Sequence, residues 1–258
     1  MPLPVEELGR WVDEDGKLRS HADILLYGPT GAGKTYLAST IVAKPKDLYV
    51  LAADPTGHKG IPFKVDGKRI QSSNDVRTIY EELYKGGHGY KAILFDGLSF
   101  YHDLVLKEMG QYYHDKKGAS DADLMPQQGR IKIIASLANT YRAFIDLTQL
   151  TKSDGSPDYD RRMHVVFTTL DERIKEDDTA DFMVRPLLGT QKINSKMPSF
   201  FSVQGFVAPL GGVDKEGKAI LDRKVLFTSM GGYQAKDRLG IFPGICNPMP
   251  PLHTFLNI

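Results

Sequence analysis

Short apolar runs alternate with polar and glycine-rich segments through much of the chain. The runs with the length of a buried strand cover residues 23–27, 48–53, 92–95 and 164–168. Apolar positions with helical spacing predict a helix capped by Ser73 and ended by Gly86, and a long amphipathic helix over about residues 128–150. Because parallel strands need helical crossovers, this alternation predicts an α/β fold with a mostly parallel central sheet and helices on both faces.

The pattern changes in the last part of the chain. Residues 200–207 and 224–227 alternate between apolar and polar positions around glycine pairs, which predicts a C-terminal antiparallel extension. Residues 63–70 are typical of a small hairpin that turns on Asp66-Gly67. Two segments without a clear period are interpreted as loops, at residues 110–127 and 171–198. We expect one domain at residues 21–240, between an N-terminal arm at 1–20 and a C-terminal tail at 241–258.

Composition narrows the class of protein. The 258 residues are 41% hydrophobic, and 33 Lys+Arg against 32 Asp+Glu give a net charge of +1. These values exclude a disordered, collagen-like or coiled-coil chain and a highly basic nucleic-acid coat, although not a local basic groove. The single cysteine, Cys246, favours a reducing compartment. With no secretory signal and no apolar run of about 20 residues, we expect a cytoplasmic protein outside the membrane.

The first strand leads directly into the sequence Gly-Pro-Thr-Gly-Ala-Gly-Lys-Thr at residues 28–35. This sequence fits the phosphate-binding loop G-x-x-x-x-G-K-[ST] between a strand and a helix. Its glycines let backbone amides converge on phosphate oxygens, and the helix start adds partial positive charge. Lys34 is expected to reach the β- and γ-phosphates, and the Thr35 hydroxyl to ligate Mg²⁺. The predicted ATP-binding residues are Gly28, Pro29, Thr30, Gly31, Ala32, Gly33, Lys34, Thr35 and Tyr36.

Two aspartates follow neighbouring strands. Asp96 comes directly after the apolar run 92–95, where a carboxylate would point at the phosphate site and hold magnesium together with Thr35. Gly97 follows it, which disfavours the enzymes that carry their water-activating glutamate at that place. Asp54 ends the second strand and is a candidate for orienting the attacking water, or alternatively only begins an Asp-Pro turn. Thr168 and Thr169 are candidate γ-phosphate sensors or structural residues.

A set of motifs in a fixed order carries a family resemblance. The phosphate-binding loop, Asp96, the strand at 165–169 and the sequence Ala-Lys-Asp-Arg at 235–238 resemble the short RecA-like P-loop ATPases of bacteriophages over about residues 22–240. This group includes the Sak-type single-strand annealing proteins and relatives described as phage AAA-family ATPases. The resemblance implies that Lys236 and Arg238 reach the nucleotide of a neighbouring subunit, in a homo-oligomer with nucleotide at its interfaces. Asp54 falls where such ATPases usually carry a catalytic glutamate.

The resemblance also implies partners. Residues 110–127 and 171–198 resemble the loops that line the DNA path, which implies binding of single-stranded DNA, action beside a single-strand-binding protein and a place in the host cell cytoplasm. Acidic residues in the same loops, Asp121, Asp123, Asp177 and Asp178, dilute their charge. The cations and aromatic residues for this contact are Lys116, Lys117, Arg173, Lys175, Lys192, Lys196, Tyr112, Tyr113 and Phe200.

Three functions are compatible with these features. The leading hypothesis is an ATPase that binds single-stranded DNA and supports phage DNA annealing or recombination. An adaptor or loader ATPase that acts on a protein partner is the first alternative. A small-molecule P-loop kinase is the second, and it would need an arginine-bearing lid that the sequence does not clearly show.

Overall fold

The structure, a computed structural model, describes residues 21–117, 127–175, 182–213 and 219–256. Within these ranges the chain forms ten strands: β1 Asp23–Tyr27, β2 Leu48–Ala52, β3 Asp66–Arg69, β4 Ala92–Asp96, β5 His164–Lys175, β6 Phe182–Leu187, β7 Val203–Val213, β8 Ala219–Leu226, β9 Lys236–Asp237 and β10 Ile245–Cys246. The α-helices in the same ranges are α1 Lys34–Ser39, α2 Ser73–Lys85, α3 Leu98–Lys117, α4 Gln127–Asp146 and α5 Gln191–Lys196.

The strands form one mixed sheet in the order β10-β8-β7-β1-β5-β4-β2-β3. The six strands from β7 to β3 in this order run parallel, while β8 and β9 pair antiparallel with β7, and β10 pairs antiparallel with β8. Strand β6 pairs antiparallel with the second half of β5. This arrangement confirms the predicted mostly parallel sheet with antiparallel C-terminal strands.

Alternation along the central strands separates two apolar layers. Leu25 of β1 packs in a cluster with α2, α3 and α4, whereas Ile24 and Leu26 face a second cluster that contains α1. Because side chains of a strand point alternately to its two faces, β1, which is buried along its whole length, needs cover on both sides. Helices therefore lie on both faces of the sheet, as the alternation of strands and helices predicts.

Residues 241–256 complete the α1 side of the sheet. Phe242, Leu252 and Leu256 are buried in the same cluster as α1. The backbone amides of Leu252 and His253 donate to the hydroxyl and carbonyl oxygens of Thr40, both at 2.9 Å. This segment thus packs directly behind the helix that follows the phosphate-binding loop.

The predicted hairpin at residues 63–70 is wrong. Asp66 and Gly67 lie inside β3, which runs parallel to β2 with Gly67 opposite Val50. A β-carbon at Gly67 would lie 2.5 Å from the Val50 carbonyl oxygen, so this glycine permits a close approach of two strands. The same Asp-Gly pair would also suit a turn, which is why the sequence alone misleads.

The described parts of the two predicted loops, at residues 110–127 and 171–198, are largely regular structure. Helix α3 continues to Lys117, and residues 171–198 contain the end of β5, all of β6 and α5. In these elements the apolar positions recur with only a weak period, so the sequence alone does not identify the strands and the helix. Residues 118–126 and 176–181, including Asp121, Asp123, Asp177 and Asp178, lie outside the described residues.

Helices α2 and α4 lie where the apolar spacing predicts them. The N-cap of α2 is Ser72, one residue before the predicted Ser73: its hydroxyl accepts from the Asp75 amide at 3.2 Å, and the Asp75 carboxylate accepts from the Ser72 amide at 3.0 Å. This reciprocal pair satisfies two amides that the first turn leaves unpaired. None of the helices in the described ranges combines the length and apolar character that a membrane span requires.

Candidate nucleotide site

The turn from β1 into α1 requires its glycines. Gly31 and Gly33 have φ angles of 81° and 83°, in the left-handed region that side chains disfavour. Gly28 has a φ of 151°, and a β-carbon there would collide with the Val207 carbonyl oxygen of β7. The loop can therefore lie this close to the sheet only with glycine at position 28.

Lys34 is held at the mouth of this turn. Its Nζ atom donates to the carbonyl oxygens of Gly28 at 2.7 Å and Pro29 at 2.8 Å. Burial lowers the pKa of Lys34 to about 8, against the opposing charges of Asp171, Asp96 and Asp54. An ammonium group in such a place is stabilised by an incoming polyphosphate, because the anion replaces the solvation that the group has lost.

Asp96 lies at the end of β4 and is 1% exposed. Its Oδ1 atom accepts from the hydroxyls of Thr35 at 2.7 Å and Thr168 at 2.6 Å, while its Oδ2 atom is buried without a hydrogen-bond partner. Burial raises the pKa of Asp96, and the Thr168 and Thr35 hydroxyls lower it. A buried carboxylate oxygen without a donor is costly unless a cation or water satisfies it.

These residues fit a magnesium ion. Mg²⁺ prefers oxygen ligands and is usually bound by one or two protein groups together with substrate phosphates and water. The Thr35 hydroxyl and the unpartnered Asp96 oxygen supply such groups beside the phosphate-binding loop. Among the described residues there is no cluster of three or more His, Cys, Asp or Glu side chains suited to a metal, so a metal held by the protein alone has no site in that part of the chain.

Asp54 lies beside Asp96, two residues after the end of the neighbouring strand β2. The Asp54 amide donates to the Asp96 carbonyl oxygen at 3.2 Å, and the charge of Asp54 raises the pKa of Asp96. The Asp54 carboxylate also accepts from the amide and hydroxyl of Thr56, at 2.8 and 3.1 Å. Asp54 therefore begins a turn and also lines the candidate site, so the two alternatives for this residue are compatible.

A cavity of about 410 Å³ joins these groups. Its walls come from the phosphate-binding loop, from both aspartates and from the middle of β5, with the aromatic rings of Tyr36 and Phe100 also lining it. Of the predicted nucleotide-binding residues, those that line the cavity are Thr30, Gly31, Gly33, Lys34, Thr35 and Tyr36. Gly28 and Pro29 instead hold Lys34 through their carbonyl oxygens, and Ala32 is buried.

Thr168 and Thr169 make different contacts although they are adjacent. The Thr168 hydroxyl donates to Asp96 and accepts from the Gly97 amide at 2.9 Å. The Thr169 hydroxyl donates to the Leu187 carbonyl oxygen and lies 2.8 Å from Ser99 Oγ. Of the two candidate sensors, only Thr168 is bonded to the predicted magnesium ligand.

Lys236 and Arg238 lie toward the end of the sheet opposite to the phosphate-binding loop. Lys236 pairs with Gln204 near the start of β7, and the Arg238 amide donates to Ser202 at 3.0 Å. Through β7, Lys236 is level with Leu25 and Arg238 with Asp23, which lie three and five residues, or roughly 10 and 16 Å, before Gly28 along β1. Burial and the Arg238 charge lower the pKa of Lys236 to about 8, so the two cations are neighbours, and neither lines the 410 Å³ cavity of its own chain.

The sequence did not point to four residues around the site. Thr56 bonds Asp54, Gly57 lies against Asp96, Ser99 bonds Thr169, and the charge of Asp171 acts on Lys34. Polar residues at the end of an apolar strand are the available signal for Asp171. The others depend on contacts between distant segments, which a single sequence does not reveal.

Comparison with known proteins agrees with this geometry. No curated protein matches the chain. A family model described as an AAA domain matches residues 20–239, which is most of the chain and includes the phosphate-binding loop, Asp54, Asp96 and the cations of β9. The chain therefore belongs to this AAA-domain family, a family of AAA-type P-loop ATPases that use a nucleotide and typically Mg²⁺.

Proposed function

We propose that the chain binds and hydrolyses ATP in the cavity between α1, the ends of β2 and β4, and the middle of β5. The observation that supports this most strongly is the convergence of Lys34, Thr35 and Asp96, with one Asp96 oxygen saturated by two hydroxyls and the other unpartnered. Phosphoryl transfer requires little covalent chemistry from the protein; it needs a cation beside the phosphates and a ligand for the metal, and this set of residues supplies both.

Each side chain has a distinct role in this proposal. Lys34 neutralises the β- and γ-phosphate oxygens, and the loop amides bind the same oxygens. Thr35 and Asp96 would hold Mg²⁺, which when bound supplies neutralisation of the charge that develops on the phosphates. Asp54 orients the attacking water, because it lies beside Asp96 and its carboxylate is fixed by Thr56.

A second cavity supports single-stranded DNA as the partner. It has a volume of about 800 Å³, and its lining includes Arg173 and Phe182 near the outer end of the β5–β6 pair together with Met230 and Tyr233. Phe182 is 57% exposed and Met230 48% exposed. Aromatic rings beside an arginine suit stacked bases and a phosphate. We propose that bound DNA occupies this cavity and that the protein supports phage DNA annealing or recombination.

A homo-oligomer is part of the same proposal. Lys236 and Arg238 do not line the nucleotide cavity of their own chain, and they form a neighbouring cation pair beside β7. Two such cations placed beside the γ-phosphate of a neighbouring subunit would stabilise the charge of the transition state. A single-strand-binding protein is a further proposed partner in the host cell cytoplasm.

The ATPase rate with and without single-stranded DNA tests the function. We expect DNA to stimulate hydrolysis, with an affinity that falls as salt rises because phosphate contacts release counterions. Phe182→Ala should reduce the stimulation, whereas Ile245→Ala, at an exposed residue of β10, should not. Phosphorylation of a small acceptor without DNA would instead identify a kinase, and stimulation by a protein partner alone would identify an adaptor ATPase.

A further inference from the structure

Two hydroxyls link the candidate nucleotide site to the antiparallel strand pair that projects beyond it. We define the β5–β6 arm as residues 170–175 and 182–187, which pair from Leu170 with Leu187 to Lys175 with Phe182. At the base of this arm, Thr168 bonds Asp96, whereas the next residue, Thr169, bonds the Leu187 carbonyl oxygen. Adjacent side chains of one strand thus contact the predicted magnesium ligand and the arm.

Ser99 completes the link from the helix side. It lies in the first turn of α3, three residues after Asp96, and is 7% exposed. Its Oγ atom is 2.8 Å from Thr169 Oγ1 and 3.0 Å from the Leu187 carbonyl oxygen, and it accepts from the Leu170 amide at 3.1 Å. One buried hydroxyl therefore contacts both strands of the arm where they leave the sheet.

The arm is also fixed to the strand that carries the phosphate-binding loop. The hydroxyl of Tyr27, the residue before Gly28, lies 3.2 Å from the Val184 carbonyl oxygen of β6 and 2.5 Å from the Gln234 carbonyl oxygen. The Gln234 amide donates to Val184 at 3.0 Å. The arm therefore contacts α3 at its base and β1 halfway along β6 at Val184, and it lines the 800 Å³ cavity through Arg173 and Phe182.

We propose that Ser99 and Thr169 are positioning residues that couple nucleotide at Asp96 to the β5–β6 arm. This rests on the proposed nucleotide binding. A shift of Asp96 or of the start of α3 when Mg²⁺ and nucleotide bind would move Ser99, and the arm must follow, since a buried hydroxyl network is costly to leave unpaired. Coupling carried by such a packed network is reciprocal, so a ligand on the arm changes nucleotide affinity by the same factor.

A fluorescent reporter on the arm tests this coupling. Trp11 is the single tryptophan of the chain, so Phe182→Trp in a Trp11→Phe background reports on the arm alone. This parent is titrated with Mg²⁺ and a non-hydrolysable ATP analogue, and calorimetry measures the affinity separately. Thr169→Val removes the hydroxyl at nearly constant shape, Thr169→Ser retains it as the matched control, and Ser99→Ala is a second route to the same loss.

We expect the parent and Thr169→Ser to change emission when the analogue binds. When each variant is saturated with the analogue, at the concentration that its own calorimetric affinity defines, Thr169→Val and Ser99→Ala should lose more than half of that change. A full emission change in both hydroxyl-free variants would overturn the coupling, as would no change in a parent that binds the analogue. A parent that does not bind the analogue in the calorimeter would overturn the proposed function itself.

Discussion

The backbone of Gly57 lies directly against the unpartnered oxygen of Asp96, so that a β-carbon at position 57 would overlap Asp96 Oδ2. The same β-carbon would lie 3.1 Å from the β-carbon of Asp54. The segment after β2 therefore fits against the predicted magnesium ligand only with glycine at this position. A side chain at this position would therefore meet both carboxylate residues of the candidate site.

Gly57→Ala should reduce ATP hydrolysis by about 10-fold to 100-fold, because a small displacement of catalytic groups is enough for such a loss. The added methyl group must displace either Asp96 or the turn that carries Asp54. Steady-state ATPase assays at several magnesium concentrations measure the effect. Gly60→Ala is the matched control, since a β-carbon at Gly60 meets no atom within 4 Å. Equal rates for both variants would refute the proposed contact.

Lys34→Ala should abolish productive ATP binding. The substitution removes the ammonium group that the Gly28 and Pro29 carbonyl oxygens hold at the mouth of the loop. Calorimetric titration with a non-hydrolysable analogue measures the loss, and Lys44→Ala, at an exposed lysine beyond α1, is the control. An unchanged affinity in Lys34→Ala would place the nucleotide elsewhere.

ATP affinity should fall above about pH 8. Lys34 has a pKa of about 8 in the free protein, and bound phosphates raise it because they stabilise the charged form. Binding then takes up a proton at higher pH, so the affinity is level below pH 8 and declines by up to about tenfold per pH unit above it. Calorimetry in buffers of different ionisation enthalpy measures the number of protons that are taken up when ATP binds. Lys34→Arg should bind without this pH dependence, and a level wild-type profile would contradict the proposed role of the ammonium group.

Thr168→Val should raise the magnesium concentration that ATPase activity requires, and this effect should depend on pH. The Thr168 hydroxyl lowers the pKa of Asp96, which burial already raises. Without that hydroxyl the pKa of Asp96 rises further, so a larger fraction of Asp96 is protonated at a given pH. More magnesium is then needed for half-maximal ATPase activity. Higher pH restores the activity because it removes the proton from Asp96. Thr168→Ser keeps the hydroxyl and should behave like the wild type. The same magnesium requirement in both variants at every pH would show that Thr168 does not act through Asp96.

The proposed role of Lys236 and Arg238 between subunits predicts complementation. Lys34→Ala and Arg238→Ala chains should each be inactive alone, because one lacks the phosphate contact and the other lacks the cation for its neighbour. Mixed assemblies should recover ATPase activity at the interfaces where both intact groups meet. Assemblies that native mass spectrometry confirms as mixed, but that remain inactive, would exclude composite sites.

The centre of the site is predictable from local features of the sequence. Its contacts between distant segments are not. Gly28 through Thr35 form a continuous motif, so adjacent residues alone identify the backbone conformation that the loop requires. Asp96 ends a plainly apolar strand. Ser99 and Leu187, by contrast, meet across 88 positions of the chain. The sequence of the β5–β6 arm predicts a loop, because its charged residues and its buried Val184, Arg185 and Pro186 do not follow the alternation of a strand with one apolar face.

The six-residue helix α1 is too short to persist alone, since isolated helices below about 12 residues are marginal in water. Its C-cap, Thr40, is held by Leu252 and His253. During synthesis the ribosome must therefore release these late residues before the turn in front of α1 gains its full support. A truncation before Leu252 would therefore remove a support of this turn from a position more than 200 residues away in the sequence.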